Sequence, residues 1–252
     1  MNISKSKISA KKPTFPKRIP EPKEMGREEM KVFEKMSSDN YQRWMIPFVD
    51  DALSKLKADA AKILDVGCGP GFLVKEIASR GKCFDVYGAD LSSHAIRMAK
   101  NNCKDLNNAH FKKVSVYKLP FPDDSFDLVV CKDTLHHFDD LQKALGEMSR
   151  VTKDGGVIYI QDLKRDLPQY LLKRAIPPDT TFKKLQFYSA RASYTKEEIK
   201  SILKKLKVGS FFIKTRSLTE QLLRKYSDIN PKQLREGFQC RYVLTIKKQV
   251  KS

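Results

Sequence analysis

The stretch ILDVGCGPGF, residues 63–72, constrains the fold of this chain more than any other. Branched apolar residues run into Asp65 and then into Gly67, Gly69 and Gly71, set one residue apart. Residues 61–66 read as a buried strand and 71–81 as the helix after it, so the glycines fall in a tight strand-to-helix turn. The same rhythm continues downstream. Strands are expected at 84–89, 110–117, 126–131 and 157–161, with helices at 94–103 and 141–151. Two further strands are expected at 211–215 and 241–247. This alternation predicts a Rossmann-like α/β fold: a doubly wound, mostly parallel seven-stranded sheet with helices on both faces.

Outside that core the reading is coarser. Residues 1–24 combine Lys, Ser and four prolines with few large apolar residues, a composition expected to form a disordered basic tail. Residues 25–252 are expected to form one domain. Its parts are a helical cap (25–60, with a kink at Pro47), a ligand-binding core (61–163), and insertions with the last strands on the substrate side (164–252). Thr195 and Glu198 have the spacing of a capping box that opens a helix. Residues 218–237 are expected to form a basic helical insertion.

Composition narrows the partners. No run of eighteen apolar residues occurs, so no membrane span is expected. The five cysteines form no C-x-x-C pair, which fits free thiols in a reducing, cytoplasmic setting and predicts no bound metal. The net charge of +19 sits at the ends: +6 in residues 1–23, +4 in 164–190 and +11 in 191–252, against −2 in 24–163. A basic periphery attracts nucleic acid or anionic headgroups. Yet the chain has 36 Lys and only 13 Arg, and Arg is the preferred bidentate reader of phosphates and bases, so solvated helix faces explain the charge equally well.

The glycine turn discriminates between nucleotides. A dinucleotide site would read G-x-G-x-x-G, and here Phe72 stands where the third glycine belongs. Asp65 at the strand tip repels a pyrophosphate but suits a ligand that carries positive charge. S-adenosylmethionine has a sulfonium, an ammonium and no phosphate. Asp90, at the tip of the second strand, can accept hydrogen bonds from both ribose hydroxyls.

At this point the chain resembles the class I S-adenosylmethionine-dependent methyltransferases, in particular the group that includes the ubiquinone/menaquinone-biosynthesis methyltransferases. The resemblance covers roughly residues 40–165. It rests on ILDVGCGPGF, VYGADLSSHAIRMAKNN, KLPFPDDSFDLVVCKDTLHHFDD and ALGEMSRVTKDGGVIYIQD, in that order. It implies that Asp65, Gly67, Cys68, Gly69 and Gly71 surround the methionine portion of S-adenosyl-L-methionine, that Asp90 binds the ribose and that Leu91 packs on the adenine. Cys131 and Lys132 would approach the methionine portion through their backbone. The family's usual acid for the adenine amino group is replaced by Ser115, with backbone around Val116 available to share that role.

Methyl transfer from a sulfonium requires alignment, exclusion of water and, for many acceptors, removal of a proton. Asp133, His136 and His137, just past the fourth strand, are the candidates for that chemistry, His137 foremost. Tyr41 and Trp44 are candidates for a lid. The Asn/Asp-Pro-Pro-aromatic motif of amine-methylating nucleic-acid relatives is absent from KDTL, which disfavours methylation of exocyclic base amines. A small-molecule acceptor is therefore the first expectation. An RNA or protein acceptor is the alternative, because Phe182, Phe187, Tyr188 and Tyr194 interleave with Lys183, Lys184 and Arg191 and could stack a single strand. A non-catalytic S-adenosylmethionine-binding protein is a third reading. Nothing in the sequence selects an oligomeric state.

Overall fold

A computed structural model of the chain describes residues 17–21, 35, 45–81, 83–165, 180–215 and 241–250. Tyr41 and Trp44, most of the expected helical cap, residues 166–179 and the basic segment at 218–237 lie outside the described residues.

The described elements, in chain order, begin with α1 (Ile46–Leu53), β1 (Ala61–Val66), α2 (Phe72–Arg80), β2 (Phe84–Asp90) and α3 (Ser93–Asn102). β3 (Ala109–Lys113), β4 (Phe126–Lys132), a single 3-10 turn (Leu135–His137) and α4 (Leu141–Val151) follow. The chain continues through β5 (Thr152–Leu163), α5 (Thr181–Ala192), α6 (Lys196–Leu206), β6 (Gly209–Thr215) and β7 (Arg241–Lys248). The strands form one sheet in the order β3-β2-β1-β4-β5-β7-β6. Strands β1 to β5 pair in parallel, and β7 runs antiparallel to both of its neighbours.

Apolar residues on both faces of the central strands explain why helices cover both sides. Leu64, Val129 and Ile158 pack with Leu145 and Met148 of α4 and Ile199 and Leu203 of α6. Their sequence neighbours Ile63, Leu128, Val130 and Tyr159 point the other way, onto Phe48 and Val49 of α1 and Val74 and Ile77 of α2. Each fully buried side chain of this size stabilises the fold by roughly 1.5–3 kcal/mol in transfer terms. Ser92 caps α3 by accepting from the Ala95 amide, and the Thr195–Glu198 capping box is present as expected.

Pro47 lies at the start of α1, where its missing N–H costs little; Met45 before it is also in helical conformation, and residues 36–44, on the far side of the expected kink, lie outside the described residues. Two expectations need correction. The third strand ends at Lys113, because the chain turns at once: the Val114 amide donates to Asp90 O and the Lys118 amide to Ser115 O. Val114 and Val116 look strand-like in the sequence because they are apolar at alternate positions, but they reach the core from this turn. The fifth strand, in contrast, is longer than expected. It starts at Thr152, passes Gly155 (φ 73°) with a register shift against β4, and runs on to Leu163.

The strand order positions the site. The chain leaves β1 toward β2 on one side and returns to β4 on the other, so the carboxyl ends of β1 and β4 bound a crevice. The glycine turn and the segment from Lys132 to His137 both open onto it.

Candidate active site

The glycine turn is fastened to the tip of β2. The amides of Gly67 and Cys68 both donate to Ala89 O, at 2.8 and 3.1 Å. Gly67 has φ 76°, and a Cβ there would lie 2.1 Å from Thr134 Cγ2, so no side chain fits. Gly69 also has a left-handed φ, 50°, but a Cβ there would meet nothing within 4 Å. Gly67 serves close packing against the segment after β4, whereas Gly69 leaves the loop open on its ligand side.

Two carboxylates flank this loop. Asp90 accepts from the Gly69 amide at 2.9 Å through Oδ2 and from the Ser92 amide at 2.8 Å through Oδ1. An ionised carboxylate has about four acceptor positions, so Asp90 retains capacity for two ligand hydroxyls. Asp65 is buried, at 2% exposure, and feels the charges of Asp90 and Lys132. Burial, and next the charge of Asp90, push its pKa up to about 8, with Lys132 acting in the opposite direction. A buried acid in this state gains from any cation placed against it.

The other expected cofactor residues occupy the same end of the sheet. Leu91 directly follows Asp90 and is 70% exposed, an unusual position for a large apolar side chain. Ser115 Oγ accepts from the Tyr117 amide at 3.3 Å, so the hydroxyl expected at the adenine amino group also braces its own turn. Val116 packs partly buried against the core. Cys131 is fully buried, and burial raises its thiol pKa well above the usual range, which makes it an inert wall. Cys68 is likewise buried, with its thiol pushed up by burial and by Asp65 and Asp90.

Across the crevice, β4 ends in Lys132 and Asp133. Asp133 adopts a left-handed φ of 52° and takes Lys132 Nζ on one oxygen and Arg241 Nε, at 3.0 Å, on the other. Burial works against its charge, but Arg241 and Lys132 hold the carboxyl well below the usual carboxylate range. A carboxylate engaged in this way is a poor proton acceptor, which corrects the expectation that Asp133 takes part in proton transfer. Its role is to anchor the turn. Thr134 Oγ1 then reaches Gly67 O at 3.3 Å, tying the two sides of the crevice together.

The two histidines differ. His136 is buried: its amide donates to Asp162 Oδ2 at 2.8 Å and its Nδ1 lies 2.7 Å from Asp162 Oδ1. Burial opposes its protonation, but Asp162 outweighs it and raises the pKa. His137 is half-exposed, with Nδ1 3.2 Å from Glu21 Oε2. Burial of part of the ring, then His136 and Arg18, push its pKa down, so it is neutral near pH 7.

Three residues that matter here were not singled out from the sequence. Asp162 sits at the tip of β5 as Asp90 does at the tip of β2, a signal that was available. Arg18 and Glu21 belong to the segment expected to be a disordered tail, and nothing in their spacing points to the histidines. Residues 17–21, the described part of that segment, lie against the 3-10 turn and α5. Arg18 Nε donates to Ala192 O at 2.6 Å, its Nη2 donates to His136 O at 2.9 Å, and its guanidinium lies 4.5 Å from the centre of the Tyr194 ring. Glu21 also accepts from Ser189 Oγ. Of the described aromatic side chains in the aromatic–basic stretch, Phe187 and Tyr194 are buried and Tyr188 is exposed.

A family profile described as a methyltransferase domain matches residues 57–224. An uncharacterized methyltransferase of Schizosaccharomyces pombe is 39% identical over 109 residues, covering 40% of this chain and 39% of that protein. A ubiquinone biosynthesis O-methyltransferase of Methylococcus capsulatus is 32% identical over 113 residues, covering 44% of this chain and 47% of that protein. The chain thus spans less than half the length of these curated relatives. Among solved structures, the plantazolicin methyltransferase BamL, in complex with a triazolic desmethylPZN analog and SAH, superposes with a TM-score of 0.70 at 19% identity. That match covers 88% of this chain and 90% of the other. With two thirds of its length inside the matched profile and the expected sheet in place, the chain belongs to the methyltransferase-domain family and has the fold of its class I, S-adenosylmethionine-dependent members.

Proposed function

We propose that the protein is an S-adenosylmethionine-dependent methyltransferase acting on a small-molecule acceptor. The observation that carries this reading is the pair of acids at the glycine turn: Asp65, buried with its pKa raised, and Asp90, whose carboxylate meets the Gly69 amide. A dinucleotide phosphate at this position would add negative charge beside the Asp90 carboxylate and favour the neutral form of Asp65 still further. A ligand with a cationic methionine end and a ribose suits both. Leu91, exposed next to Asp90, is placed to cover an adenine.

When bound, S-adenosylmethionine supplies a methyl group on a sulfonium, and its sulfur departs with the C–S electron pair as a neutral thioether. The residues of the chain do the rest. Asp65 holds the cationic end, and Asp90 fixes the ribose through its two remaining acceptor positions. Thr134 keeps the wall after β4 against the glycine turn, so donor and acceptor share one crevice. His137, half-exposed and kept neutral by its surroundings, is open to take a proton the acceptor loses and pass it to solvent, although its lowered pKa makes it a weak base.

Burial of Phe187 and Tyr194 supports a small acceptor over a stacked nucleic-acid strand. The related ubiquinone-biosynthesis and plantazolicin enzymes support it also, by the names they carry. A labelled methyl-transfer screen on cell extract, split into small-molecule, RNA and protein fractions, tests the reading. Label is expected in the small-molecule fraction, and His137→Ala should reduce it about 100-fold or more while leaving cofactor binding intact. Label in RNA or protein alone would overturn the acceptor class.

A further inference from the structure

A second group of side chains able to carry chemistry meets beside the 3-10 turn. Among the described residues, Glu21, His136 and His137 form the one cluster in which three metal-ligating atoms lie within 4.8 Å of one another. Glu21 Oε2 is 3.2 Å from His137 Nδ1 and 4.0 Å from His136 Nε2. Atoms about 2.0–2.1 Å from a common tetrahedral ion are about 3.3 Å apart, so small side-chain movements would bring all three into ligand range. Two imidazoles and a carboxylate form a donor set that suits zinc and other first-row transition ions and leaves a coordination position free.

A second feature favours a ligand role over an ordinary ion pair. Asp162 is fully buried and occupies Nδ1 of His136 at 2.7 Å, leaving Nε2 as the ring atom turned toward Glu21. A carboxylate that fixes the ring and tautomer from behind is the usual support of a metal-bound histidine. Charge is arranged consistently. Glu21 and Asp162 each contribute a negative charge, against Arg18, whose guanidinium is committed to main-chain oxygens and the Tyr194 ring. The sequence predicts no metal because its cysteines lack metal spacing, and this cluster contains none. Its members come together only because residues 17–21 dock on the turn.

We infer that Glu21, His136 and His137 form a binding site for a divalent transition-metal ion, with Asp162 orienting His136. The inference rests on the methyltransferase reading for its purpose: an acceptor oxygen taken up at the free position would lose its proton more readily, and His137 would then act as a ligand rather than as a base. The ion binding itself can be measured without turnover.

The test is a titration of the full chain, stripped with chelator, with Co2+ followed by absorption. One equivalent should bind with visible bands of nitrogen and oxygen ligation and no thiolate-to-cobalt band in the near ultraviolet. Glu21→Gln and His137→Ala should each weaken binding at least tenfold, and Asp162→Asn roughly 10- to 100-fold, while S-adenosylhomocysteine binding reports that each variant is folded. Absence of stoichiometric uptake would overturn the site. A thiolate band, or equal affinity in wild type and Glu21→Gln, would overturn it too. Cobalt held by these residues in a chain that transfers no methyl group would leave the ion site standing and remove only the functional reading above.

Discussion

The two sides of the crevice are built on different principles. On the β1–β2 side the crevice is lined by backbone and by two acids from adjacent strand tips, all within residues 65–90. On the far side, Glu21, Asp133, His136, Asp162 and Arg241 converge from separate parts of the chain and are held by charge and hydrogen bonds. One side depends on what a tight turn permits sterically, and the other on long-range docking. A cofactor shared across a family needs a constant cradle, whereas an acceptor specific to one enzyme is met by parts that can vary independently.

That contrast predicts that substitutions should separate cleanly. The largest effect is expected at Asp65. Asp65→Asn removes the charge that meets the cationic end of the cofactor and should weaken binding about 100-fold or more by calorimetry, since breaking one half of a buried charge pair costs roughly 3–5 kcal/mol. The same substitution should stabilise the free protein in alkaline solution. In the wild type Asp65 has its pKa raised from 3.8 to about 8, so the folded state binds more protons than the unfolded state between those values, and stability falls as pH rises through that window. Asn carries no such burden. Its melting temperature should exceed that of the wild type by several degrees at pH 8 and by little at pH 4. Equal cofactor affinity in the two proteins would place the cationic end elsewhere.

A smaller effect should appear in the wild type alone. Below pH 8 most Asp65 is protonated in the free protein and must lose its proton before pairing with a cation. Cofactor affinity should therefore rise with pH, by up to about tenfold per unit, and level off near pH 8. Asp65→Asn should flatten the profile. A flat profile in the wild type would show that another group, such as Lys132, already compensates the buried acid.

The same contrast explains what could be read from the sequence. The sheet, the glycine turn, Asp65 and Asp90 were legible because each depends on local spacing: apolar alternation, φ-permissive glycines, an acid at a strand end. The end of β3 was misjudged where a residue's context, rather than its type, decides: Val116 is apolar in a loop. The acceptor side was legible only in part. His136 and His137 stand out as an adjacent pair, yet their partners do not, because a contact such as Glu21 to His137 carries no periodic signal across 116 residues. Asp133 was located correctly but misjudged in role, since Arg241, which neutralises it, lies 108 residues away.

The smallest predicted effect is also the sharpest test of the division between the two sides. Arg18 joins residues 17–21 to the 3-10 turn and α5 through main-chain oxygens of His136, Phe138 and Ala192, and through its stack on Tyr194. Arg18→Ala should cost about 1–3 kcal/mol, seen as a drop of a few degrees in melting temperature. Arg18→Lys should recover little of it, because an ammonium lacks the planar fork that serves these acceptors. Cofactor affinity should stay within about twofold, since the segment touches neither the glycine turn nor the acids beside it. Turnover should fall, because Glu21 is carried on the same segment and would be released from His137. If Arg18→Ala instead weakened cofactor binding as severely as Asp65→Asn, the crevice would have to be treated as one cooperative unit, with the docked segment bracing the cradle as much as the acceptor wall.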